Sequence, residues 1–181
     1  TKMTREESIK LLESYQKNKK AEIILLDAIK ELERNLTTAK GIDFEKENNF
    51  SSYKPTPPHV IIAKMIDLKE KFIRDLYYNS ILLSYLEKHI YTIGIQSVNH
   101  GIILSYKYVA GYANIDLESK FNFSKESVRK LLLTAKDMFY ELVENIDYNQ
   151  LLETIEKEAN ISDDMLNDFY QKYFIKNWKF V

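Results

Sequence analysis

Apolar residues recur at helical spacing along two long stretches of the sequence, and the segment between these stretches holds all three prolines of the chain. In the first stretch the recurring positions are Ile9, Leu12, Tyr15, Ile23, Leu26, Ile29 and Leu36. In the second stretch they are Ile62, Met65, Phe72, Leu76, Leu83, Leu86 and Ile90. A spacing of three or four residues places such side chains on one face of an α-helix. The sequence therefore predicts two long amphipathic helices that a polar loop over residues 41–58 joins.

Local signals predict where these helices begin and end. Thr4 and Glu7 form a capping box, in which the hydroxyl and the carboxylate each bind a free backbone N–H at a helix start. The prolines of residues 55–58 cannot continue a helix, because proline lacks the N–H that the helix needs. Gly94 is expected to interrupt the second helix, and a further helix is expected from about Ile95 to Ala110, ended by Gly111.

The amino-acid composition argues against several classes of protein and several kinds of functional site. The chain has no cysteine and only 4 glycines, which argues against disulfide scaffolds, thiolate metal sites and glycine-rich phosphate loops. No apolar run reaches the roughly 18 residues of a membrane span, and the lack of cysteine fits a reducing cytoplasm. The three histidines lie far apart and the acidic residues lie on helix surfaces, so we expect no metal site, no cofactor and no enzymatic activity.

The balanced net charge of −1 hides a gradient along the sequence. Residues 144–181 hold 4 basic and 8 acidic side chains, whereas residues 101–143 hold 6 basic and 5 acidic ones. A nucleic-acid binder with this total charge needs a local basic face.

Together, the helical pattern and the charge gradient predict three parts of the chain. They are the two long helices with their loop (1–93), a compact helical domain (94–143) and an acidic, aromatic helical tail (144–181).

Residues 114–132 have the helix-cap and turn residues that are typical of a helix-turn-helix motif. Asn114 is expected to cap a short helix that ends at Phe121, and Asn122 suits the left-handed conformation of a tight turn. Ser124 is then expected to cap a longer helix that begins at Lys125. The side chains predicted to point inward are Leu117, Phe121, Phe123, Val128, Leu131 and Leu132.

The second helix of such a motif enters the major groove of DNA through its N-terminal end. Arginine can donate two hydrogen bonds to guanine, and lysine can contact guanine or phosphate. The predicted DNA-contacting residues are Ser124, Lys125, Ser127, Arg129, Lys130 and Thr134. The alternative is that the basic side chains form an ordinary solvated helix face.

The segment LSYKYVAGYANIDLESKFNFSKESVRKL resembles the fourth conserved region of sigma factors. More closely, it is similar to the sigma-like domain of phage-encoded transcriptional regulators of the ArpU and RinA type. The stretch GIDFEKENNFSSYKPTPPHVIIAKMIDLKEKF resembles the loop and second helix of those regulators, so the resemblance covers roughly residues 5–143. It implies a transcriptional regulator that binds double-stranded promoter DNA. The sequence departs from the usual pattern at Glu118, where alanine is common, and at Asn122, where glycine is common.

These observations together predict an all-α protein: a long helical arm or hairpin, a sigma-region-4-like helix-turn-helix bundle and a helical C-terminal extension. Two other functions stay open. One is a protein-binding module with a degenerate helix-turn-helix that acts on RNA polymerase or another regulator, and the other is a small alternative sigma factor. The long helices can close on themselves or pair between chains, and a homodimer is favoured because the apolar pattern lapses over residues 17–20. The tail is predicted to form two helices, and its aromatic face (Met165, Leu166, Phe169, Tyr170, Tyr173, Phe174, Trp178 and Phe180) must pack on the chain itself or on a partner.

Overall fold

The computed structural model describes residues 2–40 and 57–178, and the side chains of residues 2–39 and 57–174. Within these ranges every regular element is helical, which confirms the all-α prediction. The helices are α1 (Arg5–Lys40), α2 (Pro58–Gln96), α3 (Val98–Leu104), α4 (Asn114–Phe121), α5 (Lys125–Val143), α6 (Tyr148–Ala159) and α7 (Asp163–Trp178), with a π-helical turn at Ser105–Val109. Residues 41–56 of the predicted loop, the side chain of Trp178 and Phe180 lie outside the described part. None of the described helices is both long enough and apolar enough to cross a membrane.

The N-terminus of α1 forms the capping box that the sequence predicts. The Glu7 carboxylate accepts a hydrogen bond from the Thr4 backbone N–H at 2.7 Å, and the Thr4 hydroxyl accepts one from the Glu7 N–H at 3.2 Å. The backbone and hydroxyl hydrogen bonds from Thr4 lower the pKa of Glu7. Two of the free N–H groups at the helix start are thereby satisfied.

The chain packs as two compact units, and each unit draws on segments that are distant in sequence. Unit 1 comprises residues 1–21 and 78–160, and unit 2 comprises residues 22–77 and 161–181. These divisions differ from the predicted segments 1–93, 94–143 and 144–181. The helical pattern gives each helix an apolar face, but it does not specify which other helix will cover that face.

In unit 1 the first part of α1 runs antiparallel to the second part of α2. Tyr15 donates a hydrogen bond to the Glu87 carboxylate, and the buried Asn79 side chain donates one to the Asn18 backbone carbonyl at 2.6 Å. The polar stretch at residues 17–20 therefore contacts α2 through a backbone carbonyl. The lapse in the apolar pattern at residues 17–20 thus does not separate the two helices there, and pairing between chains stays a prediction.

The core of unit 1 also includes α3, α5 and α6. Its fully buried side chains include Leu11, Leu12, Leu86, Ile93, Ile103, Leu104, Leu117, Val128, Phe139 and Val143. Leu151 and Ile155 of α6 complete this core, so the first tail helix is part of the helix-turn-helix unit. The Met3 N–H donates to the backbone carbonyls of Glu144 and Ile146 at 3.1 and 3.0 Å, which fixes the N-terminal end of the chain beside the end of α5.

In unit 2 the remaining parts of α1 and α2 pack with α7. Ile29, Ile73, Leu76, Leu166 and Tyr170 form its buried core. Lys69 pairs with Glu33 at 2.8 Å, and its ammonium lies 5.5 Å from the centre of the Tyr170 ring. The aromatic face of the tail thus packs on the protein's own helices, the first of the two predicted alternatives, although Met165 remains exposed.

The boundary between α2 and α3 corrects the prediction at Gly94. Helix α2 continues through Gly94 to Gln96, and the break falls at Ser97, whose backbone is extended. Gly101 of α3 is the glycine that the close approach of the two helices requires, because a Cβ atom added there would lie 2.4 Å from the Cα atom of Gly94. Gly111 does end the π-helical turn, as predicted, with a positive φ of 78°.

Candidate DNA-binding site

The helix-turn-helix predicted from the sequence is present as α4, a tight turn and α5, all within unit 1. Asn122 adopts the left-handed conformation (φ 52°, ψ 44°), and its N–H donates to the Ser119 carbonyl at 3.3 Å. The Phe123 N–H donates to the Glu118 carbonyl at 3.1 Å. These two bonds satisfy carbonyls at the end of α4 and end that helix at the turn.

The start of α4 differs from the prediction by one residue. Asn114 was expected to be the cap, but it is the first helical residue, and Ala113 occupies the cap position. Alanine has no side-chain acceptor, so the cap is one-sided: the Asp116 carboxylate accepts a hydrogen bond from the Ala113 N–H at 3.1 Å. An acidic residue in the first turn is also favoured by the helix dipole.

The start of α5 is capped by Ser124, as predicted. Its hydroxyl accepts a hydrogen bond from the Ser127 N–H at 3.2 Å and lies 2.9 Å from the Ser127 hydroxyl. Both serines were predicted to contact DNA, but in the free protein their hydroxyls are engaged with each other. Both residues are exposed, so they can still face a phosphate from the helix start.

The four other predicted contact residues, Lys125, Arg129, Lys130 and Thr134, are all exposed on α5. Lys125, Arg129 and Lys130 share the first two turns of this helix with the two serines. The Thr134 hydroxyl donates to the Lys130 backbone carbonyl at 3.2 Å. That bond occupies the hydroxyl within its own helix, so Thr134 is the weakest of the six candidates.

Glu126 is an important site residue that the sequence prediction left out. Its carboxylate accepts two hydrogen bonds from Arg129, at 3.0 Å from Nε and 2.8 Å from Nη2. Lys130 Nζ lies 3.9 Å from the same carboxylate. The hydrogen bonds and the charge of Arg129 lower the pKa of Glu126, so the carboxylate is ionised at neutral pH. The spacings i, i+3 and i, i+4 on a helix could have revealed this pairing in advance.

An aromatic cluster in unit 1 supports the turn. Tyr106 contacts Tyr112 and Phe121 edge to face, with ring centres 5.5 and 5.9 Å apart, and Phe123 stacks on Phe121 at 5.7 Å. The Lys120 ammonium lies 5.1 Å from the centre of the Tyr112 ring. Phe123 was predicted to point inward, but it is 41% exposed, because the left-handed turn carries it past the core.

The other predicted inward residues lie in or beside the core of unit 1. Leu117, Val128 and Leu132 are buried, and Leu131 and Phe121 are half-buried. Glu118 is also half-buried. This agrees with the prediction that Glu118 lies partly solvated at the edge of the motif.

The end of the π-helical turn is held by a residue far away in sequence. Gln16 of α1 donates from Nε2 to the carbonyls of Tyr108 and Val109, at 3.1 and 2.5 Å. These carbonyls have no helical partner once the helix ends, so the glutamine side chain satisfies them. The contact also links α1 to the segment that leads into the motif.

We expect Asn122→Ala to lower the free energy of unfolding by about 1 kcal/mol, because the left-handed backbone conformation is sterically unfavourable for alanine. Asn122→Gly is the matched control and should leave stability nearly unchanged, since glycine adopts this conformation freely. Urea denaturation of the two variants measures both effects. Equal stability of the alanine and glycine variants would contradict the turn geometry.

Comparisons with family models, with curated proteins and with solved structures find no match to this chain. Within residues 2–40 and 57–178, no three histidine or acidic residues converge in a way that could hold a metal ion.

Proposed function

We propose that this protein is a sequence-specific, DNA-binding transcriptional regulator of the phage or mobile-element type that its sequence resembles. The observation that carries the proposal is the exposed, serine-capped start of α5, which presents Lys125, Arg129 and Lys130 directly after a left-handed turn. Phosphate contacts would supply most of the affinity, and side chains of α5 would supply the specificity. A cytoplasmic location, RNA polymerase as a further partner and a homodimeric state belong to the same proposal.

The motif has only a slight excess of positive charge. Residues 114–134 hold four basic side chains and three acidic ones. One of the acidic side chains, Glu126, forms ion pairs with two of the basic side chains, Arg129 and Lys130. We therefore expect a modest affinity for non-specific DNA and a larger preference for a specific site, at which Arg129 can leave Glu126 for a guanine.

The direct test is a binding experiment with DNA fragments and purified full-length protein at two salt concentrations. A specific fragment should be retained when salt is raised, whereas non-specific binding should weaken steeply, because it depends on counterion release. Equal binding to all fragments, or none to any, would contradict the proposal.

The Glu126 pairing favours the second candidate, a protein-binding module in which the motif no longer reads DNA. In the free protein Glu126 neutralises part of the basic face. A module that does not bind DNA loses no function through such a pairing. This candidate predicts that releasing the basic side chains does not create DNA affinity, so one variant separates the two functions.

We expect Glu126→Gln to raise the affinity for non-specific DNA several-fold, because Arg129 and Lys130 then lose an acidic partner and can face phosphates. Glu141→Gln is the matched control, since it removes the same charge from an exposed position later in α5. Fluorescence anisotropy with labelled DNA at low salt measures both variants. An equal gain in both would mean that only the net charge matters, and no gain in either would favour the protein-binding module.

A further inference from the structure

The ion pair between Glu126 and Arg129 has a defined geometry at the start of α5. Glu126 Oε2 accepts a hydrogen bond from Arg129 Nε at 3.0 Å, and Glu126 Oε1 accepts one from Arg129 Nη2 at 2.8 Å. The carboxylate therefore lies against one edge of the planar guanidinium and sets its orientation through two parallel hydrogen bonds.

This arrangement leaves the second edge of the Arg129 guanidinium open. An arginine side chain has five N–H donors, one on Nε and two on each terminal nitrogen. Glu126 takes the Nε–H and one N–H of Nη2, so one N–H of Nη2 and both of Nη1 remain. Within residues 2–39 and 57–174 the guanidinium has no other hydrogen-bond partner, and the side chain is 62% exposed. The edge between Nη1 and Nη2 thus presents two parallel donors to solvent.

Two parallel donors at this position match a guanine in the major groove, which presents O6 and N7 as adjacent acceptors. Side chains on an α-helix lean toward its N-terminus, so the Arg129 guanidinium lies over the first turn of α5. That turn is the part of a helix-turn-helix that enters the groove. Glu126 and Arg129 also lie away from the buried Val128 and Leu132, so the core does not cover the open edge.

We propose that Glu126 is a positioning residue for base recognition, which holds Arg129 so that its open edge reads guanine while the ion pair stays intact. The inference rests on the proposed function and deepens it: Arg129 can leave Glu126 for a guanine, but this geometry does not require it to. An arginine held by its Nε edge has already lost part of its rotamer freedom, so less is lost when it meets the base. The same carboxylate repels phosphates, so Glu126 weakens non-specific binding and sharpens the choice of sequence.

The expected effect is a change in sequence preference, which we define as the ratio of the Kd values for two duplexes that differ at one base pair. We expect Glu126→Ala to lower the preference for guanine at the pair that Arg129 reads by about 2- to 10-fold. This range corresponds to ordering one long side chain on binding. Preferences at the other base pairs should stay nearly unchanged, although the affinity for DNA in general rises.

The test uses full-length protein and a duplex that the wild type selects from a random pool. Fluorescence anisotropy at one salt concentration gives Kd for this duplex and for versions in which each G·C pair in turn becomes A·T. The pair at which Arg129→Ala loses the preference is the one that Arg129 reads. The matched control is Glu141→Ala, which removes the same charge from an exposed position later in α5 and should change the affinity for every duplex alike. Circular dichroism checks that each variant keeps its helices.

Two results would overturn the inference alone. An unchanged preference at that pair in Glu126→Ala would make the ion pair an ordinary surface contact. An increased preference would show that Arg129 has to leave Glu126 in order to read guanine, since the ion pair would then oppose binding at the specific site. A pool that yields no preferred sequence would instead refute the proposed function, and this inference with it.

Discussion

Gly101→Ala is expected to lower the free energy of unfolding by about 3 kcal/mol, the largest stability change that we predict. A Cβ atom on Gly101 would lie 2.4 Å from Cα and 2.7 Å from the backbone nitrogen of Gly94. Both neighbouring atoms belong to the backbone of α2, so the clash cannot be relieved by turning a side chain. The two helices would have to separate, and the buried Ile103 and Leu104, which follow directly on α3, would lose packing.

Gly94→Ala is a matched control within the same helix contact. A Cβ atom on Gly94 would meet Gly101 Cα at 3.8 Å, which is ordinary van der Waals contact. Gly94 also lies inside α2, where alanine is the better helix former by about 1 kcal/mol. We therefore expect this variant to be as stable as the wild type or more so. Thermal unfolding compares the two variants directly, and equal melting temperatures would contradict the close approach of α2 and α3.

Local signals in the sequence predicted the local structure well. The capping box at Thr4 and Glu7, the left-handed turn at Asn122 and the cap at Ser124 each depend on residues within four positions of one another. Such features are set by backbone preferences and short-range hydrogen bonds, which the sequence displays directly. The two long helices were also predictable, because their apolar spacing extends over many turns.

Contacts between distant residues could not be predicted in the same way. Glycine inside an apolar pattern indicates either a helix break or a close contact, and only the position of α3 shows that Gly94 lies within a helix, opposite Gly101. The bonds from Gln16 to the carbonyls of Tyr108 and Val109 join residues more than ninety positions apart. Likewise, the acidic tail divides between the two units, since Leu151 packs in unit 1 and Leu166 in unit 2.

The acidic charge of residues 144–181 also raises the hypothesis that the tail masks the basic face of α5. The division of the tail between the two units bears on how that hypothesis can be tested. Asp163 pairs with Arg74 and Asp168 pairs with Lys172, both within unit 2. Removing residues 144–181 would also strip Leu151 and Ile155 from the core of unit 1. A gain in DNA affinity on such a truncation would therefore not identify a mask, whereas the single substitution at Glu126 leaves the core intact.

Arg129→Ala and Lys130→Ala are each expected to weaken specific DNA binding by about 1–3 kcal/mol, which is about 5- to 150-fold in affinity. Their side chains are 62% and 72% exposed, so truncation should leave the fold unchanged. We expect Arg129→Ala to relax the preference at one base pair, since arginine reads guanine with two hydrogen bonds. We expect Lys130→Ala to remove a phosphate contact, so it should weaken binding to all sequences and reduce the slope of affinity against salt by about one ion.

Lys172→Ala is the matched control, because Lys172 also pairs with an acidic residue one helical turn away and is 75% exposed. It lies on α7 in unit 2, so it should change neither the affinity nor the salt slope. Anisotropy titrations at several salt concentrations, with circular dichroism as a check on folding, measure all three variants. If the Arg129/Lys130 double variant binds the specific site as tightly as the wild type does, α5 does not read DNA. The basic start of the helix would then be the ordinary solvated surface that the sequence also allowed.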